Sequence, residues 1–355
     1  MKPLRLSSQF VLPALVLCMA KLAQAQPATT HAATLPIADV HFHQMPFMTA
    51  EDLKARLDRH NIRWVVSAGA AGPAAFMKKD SSFARDLEYK KVLGDRFLPA
   101  VGWQELQEAE SDAGTQLYAG EPNARRHVVL QLIDERLGAG RHVISETFPN
   151  AETSTTIRLL ARRVATDSPV FVELYRLSIK YKVPLPMHMQ WHPQSVEELG
   201  KLLASDARGV VLLSHCGKTT NAADIRLLFE KHANVLCDLG FRSPPQGAAE
   251  SARDPARTIF WGDSLFSKPG IKPEWKQLIE DYPDRFMVAM DDVHRWSTYD
   301  EVVAAIRSGV LAQLTPGTAE KVAYKNALRV FGLSDAADTP IQQAETKRPD
   351  AEKPP

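Results

Sequence analysis

The chain has 355 residues, 45% of them hydrophobic and 24% charged, with a formal net charge of +1. These values suit one large globular domain or two small ones and exclude an intrinsically disordered chain. With no polybasic face and no glycine-rich phosphate loop, nucleic acid is excluded as an expected partner.

The chain begins with Lys2 and Arg5, an apolar run over 10–20 and the small-residue triplet "AQA" at 23–25. This reads as a secretory signal with cleavage expected after Ala25, giving a periplasmic or secreted protein. The run is too short for a membrane span and nothing later resembles one, so no membrane association is expected after cleavage. Residues 26–34 are expected to be a flexible leader, 35–333 a single domain, and the polar, proline-bearing 334–355 a disordered tail. Once Cys18 leaves with the signal, Cys216 and Cys237 are too few for a disulfide scaffold, and buried free thiols are the expectation.

Along the domain, short segments rich in β-branched residues alternate with segments of helical periodicity. The strand candidates are 36–42, 62–69, 96–103, 141–148, 183–189, 209–215, 234–240 and 285–291. Helix candidates lie between them. Thr49 precedes an acidic first turn at 51–52, and Ser195 with Glu198 three residues on gives a capping-box pattern. Further helical periods cover 168–182, 298–309 and 318–332. Nearly continuous apolar strands alternating with helices predict a parallel sheet covered on its faces. Eight such units predict a (β/α)8 TIM barrel, with a doubly wound open sheet as the alternative. The connections after strands 3 and 7 are long, which marks them as expected pocket walls or lids.

In a barrel, side chains at the C-terminal ends of the strands converge on one mouth. In "ADVHFHQ" (38–44), His41 and His43 end the first strand with both rings on one side. Glu146 ends the fourth strand, His188 the fifth, His215 the sixth and Asp291 the eighth. Six metal-competent side chains from five strands at one end is a pattern that scattered core histidines do not produce. A mixed imidazole and carboxylate set suits a divalent metal, above all zinc.

These motifs, "DVHFH", "PMHMQW" (186–191), "LSHCG" (213–217), "FMVAMD" (286–291) and the closing "KNALRVFGL" (325–333), resemble the metal-dependent hydrolases of the amidohydrolase superfamily, in its amidohydrolase-related (amidohydrolase 2) branch. The resemblance covers residues 36–333. It implies that His41, His43 and His188 hold a metal ion, with Asp291 as ligand or proton acceptor. His215 would be a second-metal ligand or an acid–base group, and one or two ions would bind. Glu146 is a bridging carboxylate, an acid behind the ligands, or an acid that contacts substrate. The chain has Ala289-Met290-Asp291 where such proteins often have Gly-Ser-Asp or Gly-Thr-Asp, and Asp292 follows directly, so the register rests on Asp291 taking the family position.

Around the mouth, Arg242 and Lys218 could hold an anionic group of a small-molecule substrate, and Trp191 could line an apolar region. The expected activity is hydrolysis of an amide, lactone or ester bond. The rivals are decarboxylation of an aromatic or unsaturated carboxylate and a non-catalytic periplasmic binding protein. Homo-oligomerisation is left open by the sequence.

Overall fold

Eight parallel strands close on themselves in the computed structural model, which describes residues 28–70, 81–152, 160–217, 220–240, 265–267, 270–291, 293 and 295–334. The first strand is Ile37–Gln44 and the second Ile62–Ala70. The third runs as Phe97–Leu98 and Ala100–Val101, interrupted at Pro99, which has no N–H to give the ladder but whose carbonyl still accepts from Val143. The fourth runs as Val143–Ile144 and Thr147–Asn150. Leu185–Met189, Val211–Leu213, Val235–Asp238 and Phe286–Met287 are the fifth to eighth.

The first, second and third strands pair in order, as do the third and fourth, and the fourth through eighth. Val40 then donates to Val288 O at 3.4 Å, Asp291 donates to His41 O at 2.7 Å, and Phe42 bridges Asp291, so the eighth strand's continuation meets the first. That seam closes the barrel. Every strand is next to its neighbour in sequence, which is the (β/α)8 order and not that of an open doubly wound sheet.

Ala38, Val40, Trp64, Val66, Leu98, Ala100, Val143, Leu212, Leu236, Met287 and Ala289 form an inner cluster, which Ala327, Phe331 and Leu333 of the last turns join. The outer cluster packs the strands against the helices; Phe42 meets Tyr89 and Phe97 edge-on there. The ladder between the first two strands shifts register between Asp39 and Phe42. Across that irregularity the inward set changes from Ala38 and Val40 to His41 and His43. A local bulge thus places the rings inside, a break in alternation that simple period-two reading does not contain.

Some elements differ from expectation. Residues 26–34 were expected as a flexible leader, but Ala28–Thr34 is a helix. Ala32 is buried, and Arg307 donates to the carbonyls of Ala32 and Leu35, so the segment is anchored against the helix Trp296–Gly309. The helix expected to start at Ser195 starts at Pro193, whose fixed φ and missing N–H suit a first helical position. Ser195 is buried inside it and accepts from Asn150 and Arg163. Thr49 does cap Ala50–Arg59, accepting from Asp52 N at 3.0 Å.

The long connection after the third strand is built of helices, Trp103–Ala113 and Ala124–Gly138. After the seventh, a two-stranded hairpin (Phe266–Ser267 with Gly270–Ile271) and the helix Pro273–Asp281 are described. Residues 241–264 of that connection, the segment expected as a signal (1–25) and the expected tail beyond 334 lie outside the described residues. Cys216 and Cys237 are buried thiols that are not joined in a disulfide. Among the described residues no helix is long and apolar enough to cross a membrane.

Candidate metal centre

All six residues expected at the mouth come together there, each between 2% and 6% exposed. His41 and His43 project from the bulged end of the first strand. Glu146 comes from the interruption in the fourth strand, where its N–H reaches across to Ala68 O of the second at 3.1 Å. This crossing sets the carboxylate in the middle of the group. His188 lies within the fifth strand, while His215 and Asp291 sit in left-handed backbone, φ 59° and 63°, just past the sixth and eighth.

The carboxylate of Glu146 faces two sets of nitrogens. Its Oε2 lies 3.1 Å from His43 Nε2 and 3.4 Å from His41 Nε2. Its Oε1 lies 3.2 Å from His188 Nδ1 and 3.4 Å from His215 Nε2. Asp291 Oδ1 is 3.7 Å from His43 Nε2 and 3.8 Å from His41 Nε2, and its Oδ2 is 3.1 Å from His215 Nδ1. The ligand atoms fall into three groups, His41 with His43 and Asp291, Glu146 with His188 and His215, and His41 with His215 and Asp238, the last sharing a ring with each of the others.

The test of whether a metal fits comes from the backs of the rings. His41 Nδ1 faces Asp238 Oδ2 at 3.0 Å, and His43 Nδ1 faces the Gly69 carbonyl at 3.1 Å. Neither partner can donate, so both Nδ1 atoms carry protons, and a neutral ring so protonated offers its Nε2 lone pair to the centre. The two Nε2 atoms stand 3.0 Å apart. Two Nε2 atoms and a carboxylate oxygen at such distances call for positive charge among them, a proton or a metal ion. The donor set, the separations and the second partners behind the rings all fit a divalent metal.

Charge points the same way. Burial alone would lower the pKa of His41, but the charges of Glu146, Asp291 and Asp238 more than reverse this and hold it well above its ordinary range. His43 is also raised: burial is the largest single influence and lowers it, but the hydrogen bond to Glu146 and the charges of Glu146 and Asp291 together outweigh it. Glu146 is held well below the usual carboxylate range despite burial, by the His41 charge and the hydrogen bonds of the surrounding rings. The pocket is built for positive charge among buried carboxylates.

Two residues were missed by the sequence reading. Asp238 closes the seventh strand in "VLCDLG", and the strand-end rule that found the others would have found it. Asp39 receives the N–H groups of His41 and Met290 on Oδ1, tying the bulge to the eighth strand, and burial raises it to about 7. Asp291, as chosen from the register, is the aspartate in the centre; Asp292 lies outside the described residues. So do Lys218 and Arg242, the cations expected to hold substrate. Trp191 is half-buried against the outer core beside Gly217. Trp103, not singled out earlier, sits edge-on to His43 at 5.2 Å, and Phe148 stacks on His188 at 4.8 Å, so aromatic rings wall the centre.

No family model and no curated protein matches the chain. Solved structures similar to it include a zinc-bound amidohydrolase from Burkholderia multivorans, 16% identical, TM-score 0.48, over 84% of this chain and 100% of that one. A probable 2-pyrone-4,6-dicarboxylic acid hydrolase from Acinetobacter baumannii is 11% identical, TM-score 0.48, over 84% and 99%. A dihydroxybenzoic acid decarboxylase from Polaromonas, with manganese and an inhibitor bound, is 11% identical, TM-score 0.44, over 85% and 98%.

Proposed function

We propose that this chain is an exported, metal-dependent hydrolase of the amidohydrolase type that cleaves an amide, lactone or ester bond in a small molecule. The observation that carries the reading is the pair of inward-facing Nε2 atoms 3.0 Å apart, with the Glu146 carboxylate between them and a second pair of rings. The sequence resemblance supports the reaction type, and the signal-like residues 1–25 support export.

His41, His43 and Asp291 would hold one cation, and His188 and His215 a second, with Glu146 shared. Zinc is the metal that the imidazole-rich set favours. Such an ion polarises a carbonyl oxygen and makes water acidic enough to attack near neutral pH. The remaining work falls to the protein. Asp291 Oδ1 faces the centre as the acceptor for a proton leaving the attacking water, and the other oxygen of that carboxylate lies 3.1 Å from His215 Nδ1. Asp238 and the Gly69 carbonyl keep the rings of His41 and His43 turned so that protons stay on their far nitrogens. Trp103 and Phe148 exclude water from the flanks of the rings.

The test is metal analysis of the purified chain followed by a panel of small amides, lactones and esters. Activity should vanish on chelation, return with zinc, and fall at least 100-fold in Asp291→Asn and His215→Asn. A chain that neither carries nor acquires a transition metal defeats the reading. Carbon dioxide released without consumption of water would replace hydrolysis with decarboxylation.

A further inference from the structure

Asp238 is fully buried, and its two carboxylate oxygens serve different halves of the centre. Oδ2 receives His41 Nδ1–H at 3.0 Å. Oδ1 receives the backbone N–H of His215 at 3.0 Å and of Gly240 at 2.9 Å. His215 and Cys216 have φ of 59° and 52°, a left-handed pair that L-residues adopt only when the surroundings hold them there. The same turn brings His215 Nδ1 to the Gly240 carbonyl at 3.0 Å, so His215 is fixed to the end of the seventh strand through both backbone and ring.

We propose that Asp238 is the positioning residue for both halves of the centre: one oxygen selects the tautomer of His41, and the other sets the turn that aims His215. The proposal rests on the metal-dependent reading above only for its consequence in metal affinity; the tautomer and the turn are properties of the protein itself.

Replacing the carboxylate by an amide separates the two roles. In Asp238→Asn, the N–H groups of His215 and Gly240 demand that the amide oxygen take the place of Oδ1. The NH2 group then faces His41 Nδ1. Two N–H groups cannot face one another, so His41 Nδ1 must give up its proton and accept. In the neutral ring the proton moves to Nε2, which can no longer offer a lone pair to a metal. The turn at His215 keeps its acceptor. In Asp238→Ala both contacts go, and His215 loses its aim as well.

The experiment uses the full chain labelled with 15N-histidine, with ring signals assigned by their loss in His41→Gln and His215→Gln. Zinc binding is measured in parallel by calorimetry. Wild type should show protonated Nδ1 on both His41 and His215. Asp238→Asn should lose the His41 Nδ1–H signal, keep that of His215, and bind zinc about 10- to 100-fold more weakly. Asp238→Ala should lose both signals. Retention of the His41 Nδ1–H signal in Asp238→Asn overturns the proposal, and so does a wild-type His41 lacking it, a result that needs no variant to fold. A wild type that binds no zinc defeats the metal reading while leaving the ring signals to decide the role of Asp238.

Discussion

Gly69 is the position where a single methyl group should test the architecture of the centre. Its φ is +100°, and a Cβ there would stand 2.6 Å from Trp103 Cβ and 2.9 Å from Trp103 Cγ. Those atoms sit next to the backbone and cannot swing away as the end of a long side chain would. Gly69→Ala should therefore cost about 1–3 kcal/mol in backbone strain and about 1–3 kcal/mol in overpacking. The sum, about 2–6 kcal/mol, is a large fraction of the ~5–15 kcal/mol that holds a domain folded. At roughly 2–4 °C per kcal/mol it should lower the melting temperature by about 5–20 °C.

Gly94→Ala is the control. Gly94 has φ +58° but nothing within 4 Å of a built Cβ, so only the backbone cost of about 1–2 kcal/mol applies. Thermal unfolding of both variants in chelator isolates the contact with Trp103 from any effect of metal. Because the Gly69 carbonyl accepts from His43 Nδ1, Gly69→Ala should also weaken zinc binding about 10-fold or more, and Gly94→Ala should not. Equal melting temperatures for the two variants, with equal zinc affinity, would refute the reasoning.

Zinc at about 100 times its dissociation constant should stabilise the wild type by about 2.7 kcal/mol over protein in chelator, a rise of roughly 5–10 °C in melting temperature; no shift would count against a metal centre. Arg162→Met should destabilise by about 3–5 kcal/mol in denaturant titration, because Arg162 grips buried Glu110 through two bonds of 2.6 Å and would leave that charge unpaired; a loss under about 1 kcal/mol would contradict this. Burial raises Asp86 to about 7, against donation from Ala100 N, Ser67 and Gln44, so the native state binds a proton that the unfolded state has released between pH 3.8 and about 7. Stability from this group is present at low pH and lost as pH rises through about 7, by as much as ~4 kcal/mol. Wild type should thus lose stability relative to Asp86→Asn between about pH 4 and 7, and parallel pH profiles would show that the three donors keep Asp86 ionised.

The barrel was legible because each strand is an apolar, β-branched run bounded by helical periods, and all eight segments hold strands. The centre was legible because barrel topology turns a sequence position, the strand end, into a place in space. What the sequence did not show depends on local geometry. The bulge between Asp39 and Phe42 needs the ladder of the second strand to exist. The helix start at Pro193 rather than Ser195 follows because Ser195 has better partners in Asn150 and Arg163 than a cap would offer. Ala28–Thr34 is tied to the fold by Arg307, almost the whole chain away, which donates to the carbonyls of Ala32 and Leu35. Asp238 could have been found by the strand-end rule; its partners, two backbone amides and a ring, are invisible before folding.

The backbone itself ties stability to the centre. Five non-glycine residues among those described have positive φ, and His215, Cys216 and Asp291 belong to the mouth. Asn61 and Lys182 have local reasons: asparagine tolerates the left-handed region, and Lys182 terminates the helix Pro169–Tyr181. The other three have none in their own sequence, and each costs about 1–3 kcal/mol. Long-range bonds hold His215 and Asp291 there: Asp238 accepts the N–H of His215, and His41 O takes the N–H of Asp291 at 2.7 Å. That last bond is part of the seam that closes the barrel. The first and eighth strands therefore cannot join without aiming Asp291 at His41 and His43. Closing the fold and assembling the centre are, at this seam, one event.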